Sequence, residues 1–146
     1  MEHHVRGARL TDLDASIRLM RGERSEADDG RDAADYLRNL LFVPSATVLV
    51  AERERHIVAA GVLTIRPSVR SGPFIGVIDE LGTSRAGLTP TDRVTIGSSL
   101  IEHLVRSARN KGCTRVEVTE PLVSAEPALW KRAGFASQGR LLGRGT

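Results

Sequence analysis

The stretch TIGSSLIEHLVRSARNKG, Thr95 to Gly112, opens with a glycine and two serines and continues as an amphipathic helix. A helix N-terminus exposes unpaired N–H groups and the positive end of the helix dipole, so anions, above all phosphates, bind there. Small side chains let a bulky anion reach the backbone, and serine hydroxyls add donors. Gly97, Ser98 and Ser99 fit that demand, although Gly and Ser at a helix entry are also ordinary structural residues. Few other residues carry chemistry. Cys113, the only cysteine, follows Lys111 and Gly112 and has no His or Asp close in sequence, so a structural thiol is expected. His103 lies on the same helix and is expected to face solvent or stand behind the site; His56 follows a polar turn and is expected to be exposed. His3 and His4 read as part of a polar terminus and not as ligands, and no metal is expected.

The elements that must position these groups follow from pattern. HVRGARL alternates as a short strand. Thr11 with Asp14 resembles an acidic capping box before a helix that carries Leu13, Ile17 and Met20 on one face and ends at Gly22. Glu23 to Gly30 is a polar loop. RDAADYLRNLLF predicts a second helix with Ala33, Tyr36, Leu37, Leu40 and Leu41 inward. Past Pro44 the period changes: ATVLVAE, the polar turn RERH and IVAAGVLTIRP predict an antiparallel hairpin, and GPFIGVIDELGT a third strand. SRAGLTPTDR reads as a loop. After the helix come a strand at TRVEVTE, a short helix at SAEPALWKRAG and a last strand at FASQGRLL. The order is β-α-α-β-β-β-α-β-α-β, an α/β (α+β) fold with a mixed, mostly antiparallel sheet flanked by helices.

A chain of 146 residues suits one domain, residues 1–146. Its composition is 40% apolar but only 3% aromatic, so aliphatic side chains must fill the core. A net charge of +3 is a mild excess, and nucleic acid is not an expected partner. No apolar run approaches the ~20 residues a membrane-spanning helix needs, and the N-terminus lacks the apolar stretch of a secretory signal. With a single cysteine, a reducing cytoplasm is the expected location.

The order of elements, with DRVTIGSSL before the long helix and ALWKRAGF near the end, resembles the GNAT superfamily of N-acetyltransferases. The opening VRGARLTDLDASIRLM is similar to that family's first strand and helix, so the likeness spans almost the whole chain. It implies a coenzyme A pyrophosphate on a loop of pattern Arg/Gln-x-x-Gly-x-Gly/Ala. The second loop glycine falls on Gly97, the first on Thr95 and the Arg/Gln on Asp92, with Arg93 adjacent. The implied coenzyme contacts are Leu81, Thr83, Arg93, Thr95, Ile96, Gly97, Ser98 and Ser99. An inward acidic residue at Asp92 would oppose a phosphate: at ~4 Å and an effective dielectric of about 20, like charges cost about 4 kcal/mol. Asp92 is therefore expected to turn outward or to cap the helix from Thr95.

The resemblance also implies a general base on the strand before the loop, where Asp79 and Glu80 sit. Strand alternation sends one inward and one outward; Glu80 is placed first and Asp79 second, because a bulge near Ile78 and Asp79 would reorient them. Trp130 stands where the family has a proton-donating tyrosine. It is expected to pack on the coenzyme or to fill the core beneath it, since an indole cannot deliver a proton at neutral pH. Val123 stands where an asparagine is usual. Tyr36 lies in the early helical region that borders the acceptor site, as a possible substrate contact beside a core or surface role. The implied activity is transfer of an acetyl group from acetyl-CoA to an amine of a small molecule or protein, with no metal. The alternative is a degenerate binding or dimerisation module, with a homodimer possible. The acidic Glu23, Glu26, Asp28 and Asp29 fit a cationic amine and a solvated loop equally.

Overall fold

Alternating apolar residues in the middle of the chain build a five-stranded sheet whose order in space, β1-β2-β3-β4-β5, follows the order in the chain. The computed structural model describes residues 2–21, 31–139 and 144–145. The strands are β1 (His4–Gly7), β2 (Ala46–Arg53), β3 (His56–Pro67), β4 (Phe74–Thr83) and β5 (Cys113–Val118). β1 to β4 pair antiparallel in succession, and β5 joins β4 in parallel. The helices are α1 (Leu13–Arg21), α2 (Arg31–Leu40), α3 (Pro90–Asn110), α4 (Glu120–Ala125) and α5 (Pro127–Arg132). A short 3-10 turn, Leu10–Asp12, precedes α1. No helix among the described residues is long and apolar enough to cross a membrane.

Each face of the sheet buries its own stripe of side chains. On one, Leu63 and Ile78 meet Leu100, Ile101 and Leu104 of α3 and Leu129 and Trp130 of α5. On the other, Val48 and Val62 meet Leu13 of α1 and Leu37 of α2. Fully burying one such aliphatic side chain is worth about 1.5–3 kcal/mol. The expected meander, crossover and two-sided helix cover are therefore present, with aliphatic residues filling the core.

Several local readings are corrected. α3 begins at Pro90 and not at Thr95, because Thr89 is its N-cap: the Thr89 hydroxyl accepts the Asp92 N–H at 3.1 Å, and Pro90 fixes the first helical φ. The cap before α1 is made by Asp12, which accepts the Arg9 N–H at 2.8 Å, and not by Thr11 with Asp14. β5 stops at Val118, and the single late helix is two, separated at Glu126. Phe135 to Gly139, assigned to a last strand, is not strand, and residues 140–143 lie outside the described residues. So does the acidic loop 23–30. Tyr36 is 69% exposed instead of inward, since Leu37 takes the buried position on α2.

The entry to α1 is tied to the sheet by charge. Arg6 on β1 forks onto Asp12, at 2.7 and 3.2 Å, and reaches Glu52 on β2 at 3.1 Å. The Arg6 hydrogen bonds hold the nearly buried Asp12 carboxyl below the usual carboxylate range, outweighing burial. For a depressed carboxylate the stabilisation is present above its unfolded pKa and is lost as pH falls through the folded one.

α1 sits directly on the end of β4. A Cβ built on Gly82 would lie 2.0 Å from the Leu19 carbonyl oxygen and 2.8 Å from the Met20 nitrogen. Both are backbone atoms, which cannot step aside as a side-chain tip can. Gly82→Ala is expected to lower stability by at least about 1–3 kcal/mol, the usual cost of overpacking. Urea denaturation checks this, and an unchanged midpoint would mean that α1 is not seated on Gly82.

Candidate active site

β4 changes character at one residue. Its register against β3 pairs Leu63 with Ile78 and Val62 with Glu80, leaving Asp79 as the extra residue of a β-bulge. Ile78 packs in the α3 cluster, and Leu81 packs against that same cluster from its edge. Between them the bulge puts two consecutive residues on the α1/α2 side. Asp79 accepts a 2.5 Å hydrogen bond from Thr64, and Glu80 pairs with Val62, a member of the α1/α2 cluster. The expected division of Asp79 and Glu80 between two faces is thus corrected: both carboxyls share one face.

Sharing a face has an electrostatic effect. Partial desolvation pushes the carboxyl of Glu80, an exposed residue, above the ordinary glutamate value, and the neighbouring Asp79 charge pushes the same way. Such a shift favours the neutral acid, so the stability it brings is present at low pH and is lost as pH rises through the folded pKa. The Glu80 carboxyl hydrogen-bonds to none of the described residues, whereas Asp79 is held by Thr64.

The strands part at the same point. β4 and β5 pair only as far as Ile78 with Val118. Beyond it, Asp79 to Thr83 pairs with β3, and among the described residues no strand lies along the other backbone edge of this stretch. β5 has by then turned through Thr119 into α4. The bulge therefore sets two carboxyls beside a strand edge at the point where β4 and β5 stop pairing. Leu81 and Thr83 lie on that edge, both half-buried.

The helix entry differs from the expected anion seat. Ile96 to Ser99 lie inside α3, where each amide belongs to the helix ladder. Gly97 is buried for a packing reason: a Cβ there would lie 2.8 Å from Leu129 Cδ1, so its smallness lets α5 close onto α3. Thr95 is exposed, Ile96 is buried and Ser99 offers its carbonyl to His103 Nδ1 at 2.8 Å. Ser98 Oγ and Arg93 Nε are buried without a hydrogen-bond partner. At the true N-terminus Pro90 has no amide hydrogen and Thr89 has taken that of Asp92. The Asp92 carboxylate pairs with Arg53 at 3.4 Å instead of capping a later start.

Trp130 is core. It is 1% exposed, donates Nε1–H to the Leu122 carbonyl at 3.0 Å and meets the Phe135 ring edge-on at 5.2 Å. Of its two expected roles, the structure has the core-filling one. Tyr36 stands exposed on α2, on the carboxyl side of the sheet. Burial raises the Cys113 pKa despite Lys111, as suits an inert thiol. Among the described residues no group of three or more His, Cys, Asp or Glu forms a metal cluster. Sequence reasoning missed Thr64 and Thr89. The odd spacing of Ile78 and Leu81 signalled the bulge, and Thr-Pro-x-Asp at Thr89 to Asp92 signalled the earlier helix start.

Comparison with known proteins gives the same frame. The model of the family described as "Acetyltransferase (GNAT) family" matches residues 13–135. A solved structure described as a transcriptional regulator from Bacillus halodurans C-125 superposes with TM-score 0.81 at 16% identity, covering 99% of this chain and 100% of its own. An aminoglycoside N-acetyltransferase solved in complex with CoA gives 0.80 at 16%, covering 99% and 95%. A glucosamine-6-phosphate N-acetyltransferase from Arabidopsis thaliana gives 0.77 at 15%, covering 99% and 98%. At these identities the likeness is one of fold. No curated protein sequence matches the chain.

Trp130→Phe tests the structural role. It removes a buried hydrogen bond to the Leu122 carbonyl and opens a small cavity, for an expected loss of about 1–3 kcal/mol in thermal or urea unfolding. Unchanged stability would show that the ring is not locked in the core.

Proposed function

The chain belongs to the acetyltransferase (GNAT) family, and on that premise we propose that it transfers an acetyl group from acetyl-CoA to an amine of a small molecule or protein. The carrying observation is the bulge at Asp79, which brings Glu80, Asp79 and a free β4 edge to the place where β4 and β5 separate.

Each part has a task. A pantetheine arm is an extended chain with two amides, and the unpaired edge at Leu81 to Thr83 offers it backbone partners as a strand edge does for an added strand. The acceptor enters from the α1/α2 side, beside the carboxyls. Glu80 accepts the amine proton, directly or through one water. Its raised pKa moves it toward the working pH, where a base is most effective. Asp79, fixed by Thr64, raises the Glu80 pKa further and helps hold a cationic amine near the cleft. A thioester supplies an activated acyl carbon and a thiolate with a pKa not far above that of cysteine, ~8.5, which water can protonate. That matters here because the Trp130 N–H is committed to Leu122 and no tyrosine stands in its place.

The same commitment of Trp130 and the capped entry of α3 favour a second reading, a binding or dimerisation module without turnover. Turnover of an amine panel with acetyl-CoA separates the two. Under the acyl-transfer reading, Glu80→Gln lowers kcat/KM by about 10²–10⁴-fold, the usual worth of general acid–base catalysis. The acid limb of the wild-type pH–rate profile lies above the ordinary glutamate value, about 4.3, and disappears in the variant. A Glu80→Gln protein with the wild-type rate and acid limb places the base elsewhere; a wild-type chain that acetylates nothing supports the module.

A further inference from the structure

A groove of about 400 Å³ runs between the outer flank of α3 and the strands β1 and β2. That is within the size of small-ligand clefts. Its floor is Val5 of β1 and Leu49 of β2, both half-buried at the edge of the larger apolar cluster. Its wall is one stripe of α3: His103, Ser107 and Lys111 recur at every fourth residue and so lie one above another. The groove is on the α3 face at the β1 end of the sheet, whereas Asp79 and Glu80 stand on the other face of β4.

The polar groups of the wall are fixed in place. Lys111 Nζ donates to the Pro44 carbonyl at 3.1 Å, the Ala46 carbonyl at 3.4 Å and the Thr47 hydroxyl at 2.9 Å, and Thr47 and Ser107 share a hydrogen bond of 2.9 Å. These bonds use the ammonium protons and leave its charge uncompensated: no carboxylate lines the groove, and Lys111 forms no ion pair among the described residues. Arg106 and Asn110, exposed at the rim, have no side-chain hydrogen bond or ion pair among the described residues. Arg6 also lines the groove, but its guanidinium is committed to Asp12 and Glu52. At His103 the Ser99 carbonyl can only accept, so Nδ1 carries the hydrogen and the neutral ring keeps Nε2 as an acceptor.

We infer that this groove binds a small amphipathic carboxylate, with its head at Arg106 and Asn110 in the field of Lys111 and its apolar body along Val5 and Leu49. An arginine fork matches a carboxylate, and the absence of acidic lining removes the competing repulsion. From His103 to Lys111 the helix rises ~12 Å at about 1.5 Å per residue, which accommodates an extended chain of about eight carbons. The site is independent of the acyl-transfer reading, since it shares no residue with the β4–β5 cleft.

The experiment titrates octanoate, octylamine and acetate into the full chain and follows the backbone amides by NMR. Octanoate is expected to saturate with a dissociation constant at or below about 1 mM, moving the amides of Leu49, His103, Ser107 and Asn110. Acetate and octylamine are expected not to saturate in that range. Shortening the acid is expected to weaken binding by up to about fourfold for each methylene removed. Arg106→Glu, a change at an exposed position, is expected to lower octanoate affinity by at least about tenfold with an unchanged circular-dichroism spectrum. No saturation by octanoate up to about 10 mM overturns the inference. So do octylamine or acetate binding as tightly as octanoate, shifts confined to β4 and β5, or wild-type affinity in Arg106→Glu.

Discussion

The bulge at Asp79 is the constraint on which the site depends. An unbroken β4 would send Asp79 and Glu80 to opposite faces and put Leu81 on the wrong side of the sheet. One extra residue keeps Ile78 and Leu81 on the α3 side while setting both carboxyls on the other. Pairing with β5 ends at Ile78, beside the bulged residue, so the acidic pair stands where the two strands separate. Neither needs a strained residue at φ above zero. In the hairpin turn between β2 and β3, by contrast, Glu54 and Arg55 take φ of 51° and 68°, the left-handed values a two-residue turn demands.

The two faces of the sheet divide the labour. The α3/α5 face holds the larger apolar cluster, and Trp130 and Leu129 belong to it entirely. The α1/α2 face has a smaller apolar cluster and carries the charged groups, from the Arg6–Asp12–Glu52 array at β1 and β2 to the carboxyls on β4. Those carboxyls experience opposite influences. Asp12 is stabilised as an anion by a guanidinium fork, while Glu80 is pushed toward the neutral acid by burial and by a like charge. The same functional group is thus held as an anion at Asp12 and eased toward the neutral acid at Glu80.

Much of the architecture was legible because it depends on period. Strand alternation in ATVLVAE and IVAAGVLTIRP, and the helical stripe through Leu100, Ile101 and Leu104, specify elements that tertiary contacts then confirm. What was illegible depends on contacts distant in sequence. Gly97 looks the same whether it clears room for a phosphate or for Leu129, and only the position of α5 decides. Tyr36 and Leu37 are adjacent on one helical stripe, and the sheet chooses which of them is buried. The start of α3 was an exception: Thr89 and Pro90 announce it locally, but the glycine pattern further on drew the boundary to Thr95.

That the strands lie side by side in the order they occur in the chain bears on how the molecule assembles. Closing β2 on β3 and β3 on β4 needs only short loops, so little chain entropy is lost before pairing is rewarded. β1 must wait for a partner that follows both α1 and α2, and β5 for one that precedes the whole of α3. The three central strands are thus the natural nucleus, and the bulge lies within it. The bulge between Val62/Leu63 and Ile78/Glu80 therefore lies in the part of the sheet whose closure costs the least chain entropy.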